Sequence, residues 1–106
     1  MSATLPPITE AQFQRAILDM AGFLGWTCFH PRYSIGSDAG YPDLTMIHPV
    51  HGALWLELKT RRGRISEAQR DWINCLTDAG QRAYIIYPDQ FDVIEALLRG
   101  EKAEAA

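Results

Sequence analysis

Long apolar runs, abundant cysteine and a strong excess of one charge are all missing from this chain of 106 residues. It contains no run of about eighteen apolar residues and no N-terminal apolar segment of a signal peptide, so neither membrane spanning nor secretion is expected. We therefore expect a cytoplasmic protein, located in the host cytoplasm if the source is viral. The net charge is only −3, so the whole chain is not a polycation that adheres to any nucleic acid.

Cysteine and the common enzyme motifs are also scarce. Cys28 and Cys75 are too few and too far apart for a disulfide scaffold, and both fall in segments predicted to be buried, so we expect core thiols. A glycine-rich phosphate loop and a nucleophilic Ser or Cys triad are missing. His48 and His51 flank a turn without further Cys or His ligands nearby, which argues against a zinc site.

What is present is the composition of an ordinary globular domain, with 47% hydrophobic and 22% charged residues. A chain of this length buries one modest core, so we predict a single domain over residues 1–106, with its core over 8–99 and a flexible tail over 100–106. The predicted order is α-β-β-β-α-β-α, an α/β fold. Helices are predicted over 8–24, 66–80 and 89–99, and strands over 26–32, 42–48, 53–60 and 83–87.

Capping boxes mark the starts of the first two helices. Thr9 with Gln12, and Ser66 with Gln69, have the spacing in which a hydroxyl and an amide cap each other's backbone. On a helical period Glu10 falls within the apolar stripe that continues along the first helix. We therefore expect its carboxylate to point toward the core side.

Two largely apolar strands on either side of the turn at 49–52 carry charged residues. Glu57 and Lys59 alternate onto the side opposite to the leucines of their strand. An antiparallel hairpin centred between residues 50 and 51 puts Asp43 opposite Leu58, within one residue of both charges. The pattern predicts a charged cluster at one end of the hairpin.

Glu10, Asp43 and Glu57 are predicted to converge beside Lys59. Carboxylates held so close raise one another's pKa unless a divalent cation neutralises them, and oxygen ligands favour Mg²⁺ or Mn²⁺. Such a cation with an adjacent ammonium can activate a water and offset charge on a phosphoryl oxygen, as phosphodiester hydrolysis requires. The alternative is an ion pair between Glu57 and Lys59 on a half-exposed strand, with Asp43 as a turn residue.

The sequence "PD" at 42–43, followed after thirteen residues by "ELK" at 57–59, resembles the PD-(D/E)xK nuclease superfamily. The match includes more than this short motif. It extends to "TE" at 9–10, "GW" at 25–26, "GYPDL" at 40–44, "ELKT" at 57–60 and "SEAQRDW" at 66–72. Together these resemble a stand-alone VRR-NUC domain over roughly residues 8–88. The resemblance implies a restriction-endonuclease-like fold with a central mixed sheet flanked by helices.

Carried over position by position, the resemblance assigns the chemistry to a few residues. Gln69 is the supporting glutamine, but its spacing from Ser66 is also that of a helix cap, and both roles stay open. Tyr41 stands where Phe is more frequent in the family. The implied metal ligands are Glu10, Asp43, Glu57 and the Leu58 carbonyl, and the implied catalytic residues are Asp43, Glu57, Lys59 and Gln69.

Basic and polar residues flank the predicted site on both sides. They are expected to hold phosphates and to read little sequence. The alternative for the arginines after the catalytic strand is a solvated loop. The candidate DNA-binding residues are Arg32, Ser37, Arg61, Arg62 and Arg64.

The resemblance implies a DNA endonuclease dependent on Mg²⁺ or Mn²⁺. Family members act on branched or flapped DNA, and the small stand-alone ones resemble Holliday-junction resolvases in being homodimers. A non-catalytic module that holds branched DNA, and a restriction-type or single-strand nuclease, are the alternatives. The last helix, with Val93, Ile94, Leu97 and Leu98, is either a dimer interface or a cover for the sheet.

Overall fold

The computed structural model describes residues 8–30, 40–60 and 64–101. Over these ranges the order α-β-β-β-α-β-α is as predicted, and none of the helices is long and apolar enough to cross a membrane. A short 3-10 helix, Pro88–Gln90, leads into the last helix. The helices are α1 (Glu10–Phe23), α2 (Glu67–Asp78) and α3 (Phe91–Leu98), and the strands are β1 (Thr27–Phe29), β2 (Leu44–His48), β3 (Gly52–Leu58) and β4 (Ala83–Ile86).

The four strands form one mixed sheet in the order β1-β2-β3-β4. The first three strands are joined antiparallel, and β4 pairs parallel to β3 after the crossover through α2. This is the central mixed sheet that the sequence predicts. The charged end of β3 therefore lies between an antiparallel and a parallel neighbour, in the middle of the sheet.

One face of the sheet forms the core, because alternate residues of β2 and β3 are apolar and point to the same side. α1 packs on this face with a stripe at helical spacing, and α3 packs beside it. The buried residues at this interface include Phe13, Ile17 and Ala21 of α1, Leu44, Met46, Leu54, Leu56 and Leu58 of the sheet, and Ile94, Leu97 and Leu98 of α3.

Both predicted capping boxes are confirmed. Thr9 Oγ1 accepts from the Gln12 backbone N–H at 3.0 Å, and the Gln12 side chain accepts from the Thr9 N–H at 2.9 Å. The same exchange joins Ser66 and Gln69 at the start of α2. These hydrogen bonds satisfy helix N–H groups that would otherwise lack partners.

The predicted register of the hairpin was wrong by one residue. His48 pairs with Gly52, so three residues form the turn, and extending the ladder places Asp43 opposite Glu57 instead of Leu58. Gly52 closes this turn with a φ of +82°, and His48 Nδ1 accepts the N–H groups of two turn residues. Asp43 thereby moves from the core face to the face that carries Glu57.

Several other predictions are also corrected. Cys75 is exposed on α2 and Cys28 is half-buried at an edge strand, so the chain does not hold them as core thiols. β1 ends at Phe29, short of the predicted 26–32. Of the two alternatives for the last helix, the structure supports the cover for the sheet, because Ile94, Leu97 and Leu98 of α3 are buried within the chain.

Candidate functional site

The candidate site lies on the face of the sheet opposite to the core. Because side chains alternate along β3, Glu57 points away from the face that buries Leu56 and Leu58. Its side chain is nevertheless only 2% exposed. A buried carboxylate outside the apolar core needs polar neighbours, and these come from the end of β3 itself, from α2 and from the residue before β2.

Glu57 collects an amide and an ammonium on one oxygen. Gln69 Nε2 donates to Glu57 Oε2 at 2.8 Å, and Lys59 Nζ lies 3.9 Å from the same oxygen. Lys59 reaches it because residues two apart on a strand share a face. Glu57 Oε1 is buried without a hydrogen-bond partner among the described residues. Oε2 is therefore held in place, whereas none of the described residues donates a hydrogen bond to Oε1.

Asp43 approaches this carboxylate from the start of β2. Its Oδ2 accepts the Leu58 backbone N–H at 2.8 Å, which fixes Asp43 across the hairpin. Leu58 thus contributes an N–H to the geometry, whereas its carbonyl remains the ligand that the family resemblance implies. Asp43 and Glu57, brought onto one face by the register, form a pair of neighbouring carboxyl groups.

The surroundings of Glu57 raise its pKa from the ordinary 4.5 to about 8. Burial contributes most, because the charged form is poorly solvated, and the negative charge of Asp43 adds to it. Lys59 opposes the shift, and Glu10 raises the pKa further. A carboxyl group with this environment favours either a proton or a cation at its free oxygen.

The acidic residues fit a divalent cation at the Asp43–Glu57 pair. Carboxylate oxygens are its preferred ligands, and the unpartnered Glu57 Oε1 is an available one. Glu10 is exposed at the first position of α1, one turn before the first buried residue, so it is not buried in the core, although its charge raises the pKa of Glu57. Among the described residues, no group of three or more His, Cys, Asp or Glu side chains is arranged to hold a metal ion. The three-carboxylate ligand set stays a prediction.

Gln69 makes the contacts of both roles that the sequence presented as alternatives. Its Oε1 accepts the Ser66 backbone N–H at 2.9 Å, which completes the helix cap. Its Nε2 donates to Glu57 on β3. An amide has a separate acceptor and donor, so one side chain caps α2 and binds the buried carboxyl at once.

Tyr41, which the sequence distinguished only by standing where Phe is more frequent, lies next to the site and makes contacts that the sequence did not indicate. Its hydroxyl lies 2.7 Å from Thr45 Oγ1 and accepts from Trp55 Nε1 at 3.3 Å. Its ring meets Trp72 of α2 edge to face, with centroids 4.9 Å apart. The register of the hairpin could have indicated this role. It pairs Thr45 with Trp55, two residues from Asp43 and on the same face of the sheet.

The predicted DNA contacts mostly lie outside the described residues. Arg32, Ser37, Arg61 and Arg62 fall in the ranges 31–39 and 61–63. Arg64 is described and is exposed, shortly before the N-terminus of α2. An exposed arginine at this position is compatible with a phosphate contact, which stays a prediction.

Comparison with solved structures identifies the fold. A structure described as a VRR_NUC domain has a TM-score of 0.69 at 19% identity, covering 85% of this chain and 94% of that chain. Another, a VRR_NUC domain protein, gives 0.71 at 19% identity over 93% and 95%. Hjc of Archaeoglobus fulgidus, a Holliday junction resolvase from an archaeal hyperthermophile, gives 0.51 at 21% over 72% and 66%. The predicted restriction-endonuclease-like fold is confirmed.

Comparison at the level of sequence identifies the family. No curated protein matches the chain. The family model of the VRR-NUC domain matches residues 32–90, more than half of the chain, and this range contains the "PD" and "ELK" motifs. The chain therefore belongs to the VRR-NUC domain family of nucleases.

Proposed function

We propose that this chain is a divalent-metal-dependent endonuclease that hydrolyses phosphodiester bonds of branched DNA as a homodimer. The observation that carries the proposal is the environment of Glu57. An amide and an ammonium lie at one of its oxygens, a second carboxyl group is its neighbour, and the other oxygen has no hydrogen-bond donor in the part of the chain that the structure describes. Roughly nine in ten buried polar groups of folded proteins are hydrogen-bonded, so a buried oxygen without a donor supports an ion or a water at this position over a purely structural ion pair.

The proposed chemistry divides among the residues of the site. Asp43 and Glu57 would hold the cation, with Glu10 and the Leu58 carbonyl as further ligands, and nucleases of this fold generally use divalent metals. Mg²⁺ or Mn²⁺ there would supply positive charge to a phosphate oxygen. Lys59 Nζ orients the attacking water or stabilises charge that develops in the transition state. Gln69 holds Glu57 Oε2, so that the free oxygen keeps its direction.

Asp43→Asn and Lys59→Ala provide the test. Each is expected to abolish cleavage of branched DNA in the presence of Mg²⁺ or Mn²⁺, while binding is retained, because the phosphate contacts come from other residues. Cleavage is followed on labelled four-way and flapped substrates, and binding is followed by fluorescence anisotropy in EDTA. Unchanged cleavage by either variant would reject the proposed site.

A non-catalytic module that only holds branched DNA is the rival from another class. This rival explains a nuclease fold, but it does not explain why both acids, the lysine and the glutamine are present in one contact group. Binding of branched DNA by the wild-type chain, without cleavage under any of several metals, would favour this rival.

The preference for branched DNA is supported by the fold shared with Hjc, which is described as a Holliday junction resolvase. At 21% identity this similarity concerns the fold alone. A panel of duplex, flapped, four-way and single-stranded DNA separates the branched-DNA enzyme from a restriction-type or single-strand nuclease. Faster cleavage of duplex or single-stranded DNA than of junctions would overturn the branched preference and leave the nuclease proposal standing.

A further inference from the structure

From its contacts we infer that Tyr41 is a positioning residue, whose hydroxyl sets the distance between α2 and the acidic pair, and thereby the hold of Gln69 on Glu57. The inference deepens the proposed function and depends on it for its catalytic consequence.

Gly40 lies directly against the backbone of α2. A Cβ built on Gly40 would lie 2.3 Å from the Ala68 carbonyl carbon and 2.6 Å from the Gln69 nitrogen. Gly40 also has a φ of +80°, which side chains other than glycine rarely adopt. The segment that leads to Asp43 therefore touches the backbone of the helical turn that carries Gln69.

The ring of Tyr41 makes a second contact with α2. It packs edge to face on Trp72, which lies on α2 one turn after Gln69. Such an aromatic pair prefers a defined angle and separation. The ring therefore holds the same helix at a second point, so that α2 is located by both Gly40 and Tyr41.

The hydroxyl group of Tyr41 contacts both strands of the hairpin. Trp55 Nε1–H can only donate, so the Tyr41 oxygen accepts it, and the Tyr41 proton is free to be donated to Thr45 Oγ1. Thr45 and Trp55 are paired residues of β2 and β3. The hydroxyl therefore ties the helix-docked ring to the two strands on which the acidic pair lies.

The connection from Tyr41 to Asp43 is short and restrained. Only the buried Pro42 separates the two residues, and its ring fixes its own φ. Asp43 then accepts the Leu58 N–H. A shift of the Tyr41 ring would be transmitted to Asp43 on one side and, through α2, to Gln69 on the other.

A double-mutant cycle tests the inference. Tyr41→Phe keeps the ring and removes the hydroxyl, and Thr45→Val keeps the shape and removes its partner. Each is expected to lower kcat for branched DNA by about tenfold with little change in KM, because misplacement affects chemistry more than binding. If both act through one hydrogen bond, the double variant should be no slower than either single variant.

Two outcomes would overturn the inference. One is an unchanged kcat with a lowered melting temperature, which would reduce Tyr41 to a structural role. The other is additive losses in the double variant, which would mean that the two side chains act separately.

A measurement without catalysis keeps the inference separate from the proposed function. Hydrogen exchange of the Leu58 amide reports its bond to Asp43, and exchange of the Trp26 indole N–H, bonded to the Leu98 carbonyl at the other end of the sheet, is the control. Tyr41→Phe should speed Leu58 exchange about tenfold and leave Trp26 exchange unchanged. Equal exchange at Leu58 would overturn the inference even in an inactive protein. A wild-type chain that does not cleave DNA would instead overturn the proposed function.

Discussion

The Gln69 side chain connects the stability of α2 to the geometry of the site. It caps the helix through Oε1 and binds Glu57 through Nε2. Gln69→Ala removes both contacts, so we expect the free energy of unfolding to fall by about 1–2 kcal/mol and cleavage to fall about tenfold or more. Chemical denaturation and a cleavage assay measure the two effects.

Ser66→Ala is the matched control for Gln69→Ala. It removes the Ser66 Oγ contact with the Gln69 backbone but leaves the Gln69 side chain free to bind Glu57. The expected loss of stability is about 1 kcal/mol, without a comparable loss of cleavage. Parallel losses of cleavage in the two variants would show that Gln69 acts only through helix stability.

Glu57 predicts a pH dependence of stability in metal-free buffer. Its folded-state pKa of about 8 lies above its ordinary 4.5, so the folded chain binds the proton more tightly than the unfolded chain. The stabilisation is fully present below 4.5 and is lost as the pH rises through about 8. Over this window the free energy of unfolding should fall, at most by about 1.4 kcal/mol per pH unit.

Glu57→Gln is the control for this pH dependence, because the amide keeps an acceptor for Gln69 and does not titrate. Urea denaturation in EDTA at a series of pH values should give a flatter dependence for the variant than for the wild type. The same slope in both proteins would assign the pH dependence to other groups.

At the scale of elements, the contact between the Gly40 segment and α2 is a close backbone approach. Gly40→Ala puts a methyl group into the first turn of α2 and requires a left-handed conformation, which alone costs about 1–2 kcal/mol. We expect a clear loss of stability in thermal denaturation. Gly22→Ala is the control, because nothing lies within 4 Å of its Cβ and alanine favours the interior of α1. It should stabilise the protein by up to about 1 kcal/mol.

The elements themselves were largely predictable from the sequence. Capping boxes define the starts of α1 and α2, and alternation places Glu57 and Lys59 on the face away from the leucines. The register was not predictable from alternation alone. It depends on a three-residue turn, which Gly52 closes in a left-handed conformation and the His48 ring caps. These are local details of the turn that the hydrophobic pattern does not encode.

The candidate site was predictable in its members more than in its contacts. The motifs named Asp43, Glu57, Lys59 and Gln69, and the structure brings these four into one contact group. The partners of Asp43 and the double role of Gln69 depend on register and on the placement of α2. The hydroxyl network of Tyr41 has the same origin, because it joins residues on separate elements.

At the scale of the whole molecule, one chain presents one candidate centre, whereas symmetric cutting of two strands requires two centres related by a two-fold axis. The sheet offers apolar surface at its β1 edge. Phe29 is 61% exposed and Ile47 is 50% exposed, and the register places both on the face that carries Glu57. The apolar side chains of α3 are already buried within the chain, so we expect a second copy to pack against Phe29 and Ile47 and to remove their apolar surface from water.

Light scattering tests this dimer directly. We expect a mass of twice the 11.9 kDa of one chain, and Phe29→Ser should shift the mass toward the monomer, because it removes apolar area at the edge strand. Val50→Ser is the matched control: Val50 is 79% exposed, but it lies in the β2–β3 turn at the other end of the hairpin from Glu57, so the mass should not change. A monomeric wild-type protein would contradict the homodimer, and cleavage of both strands of a junction would then require two separate binding events.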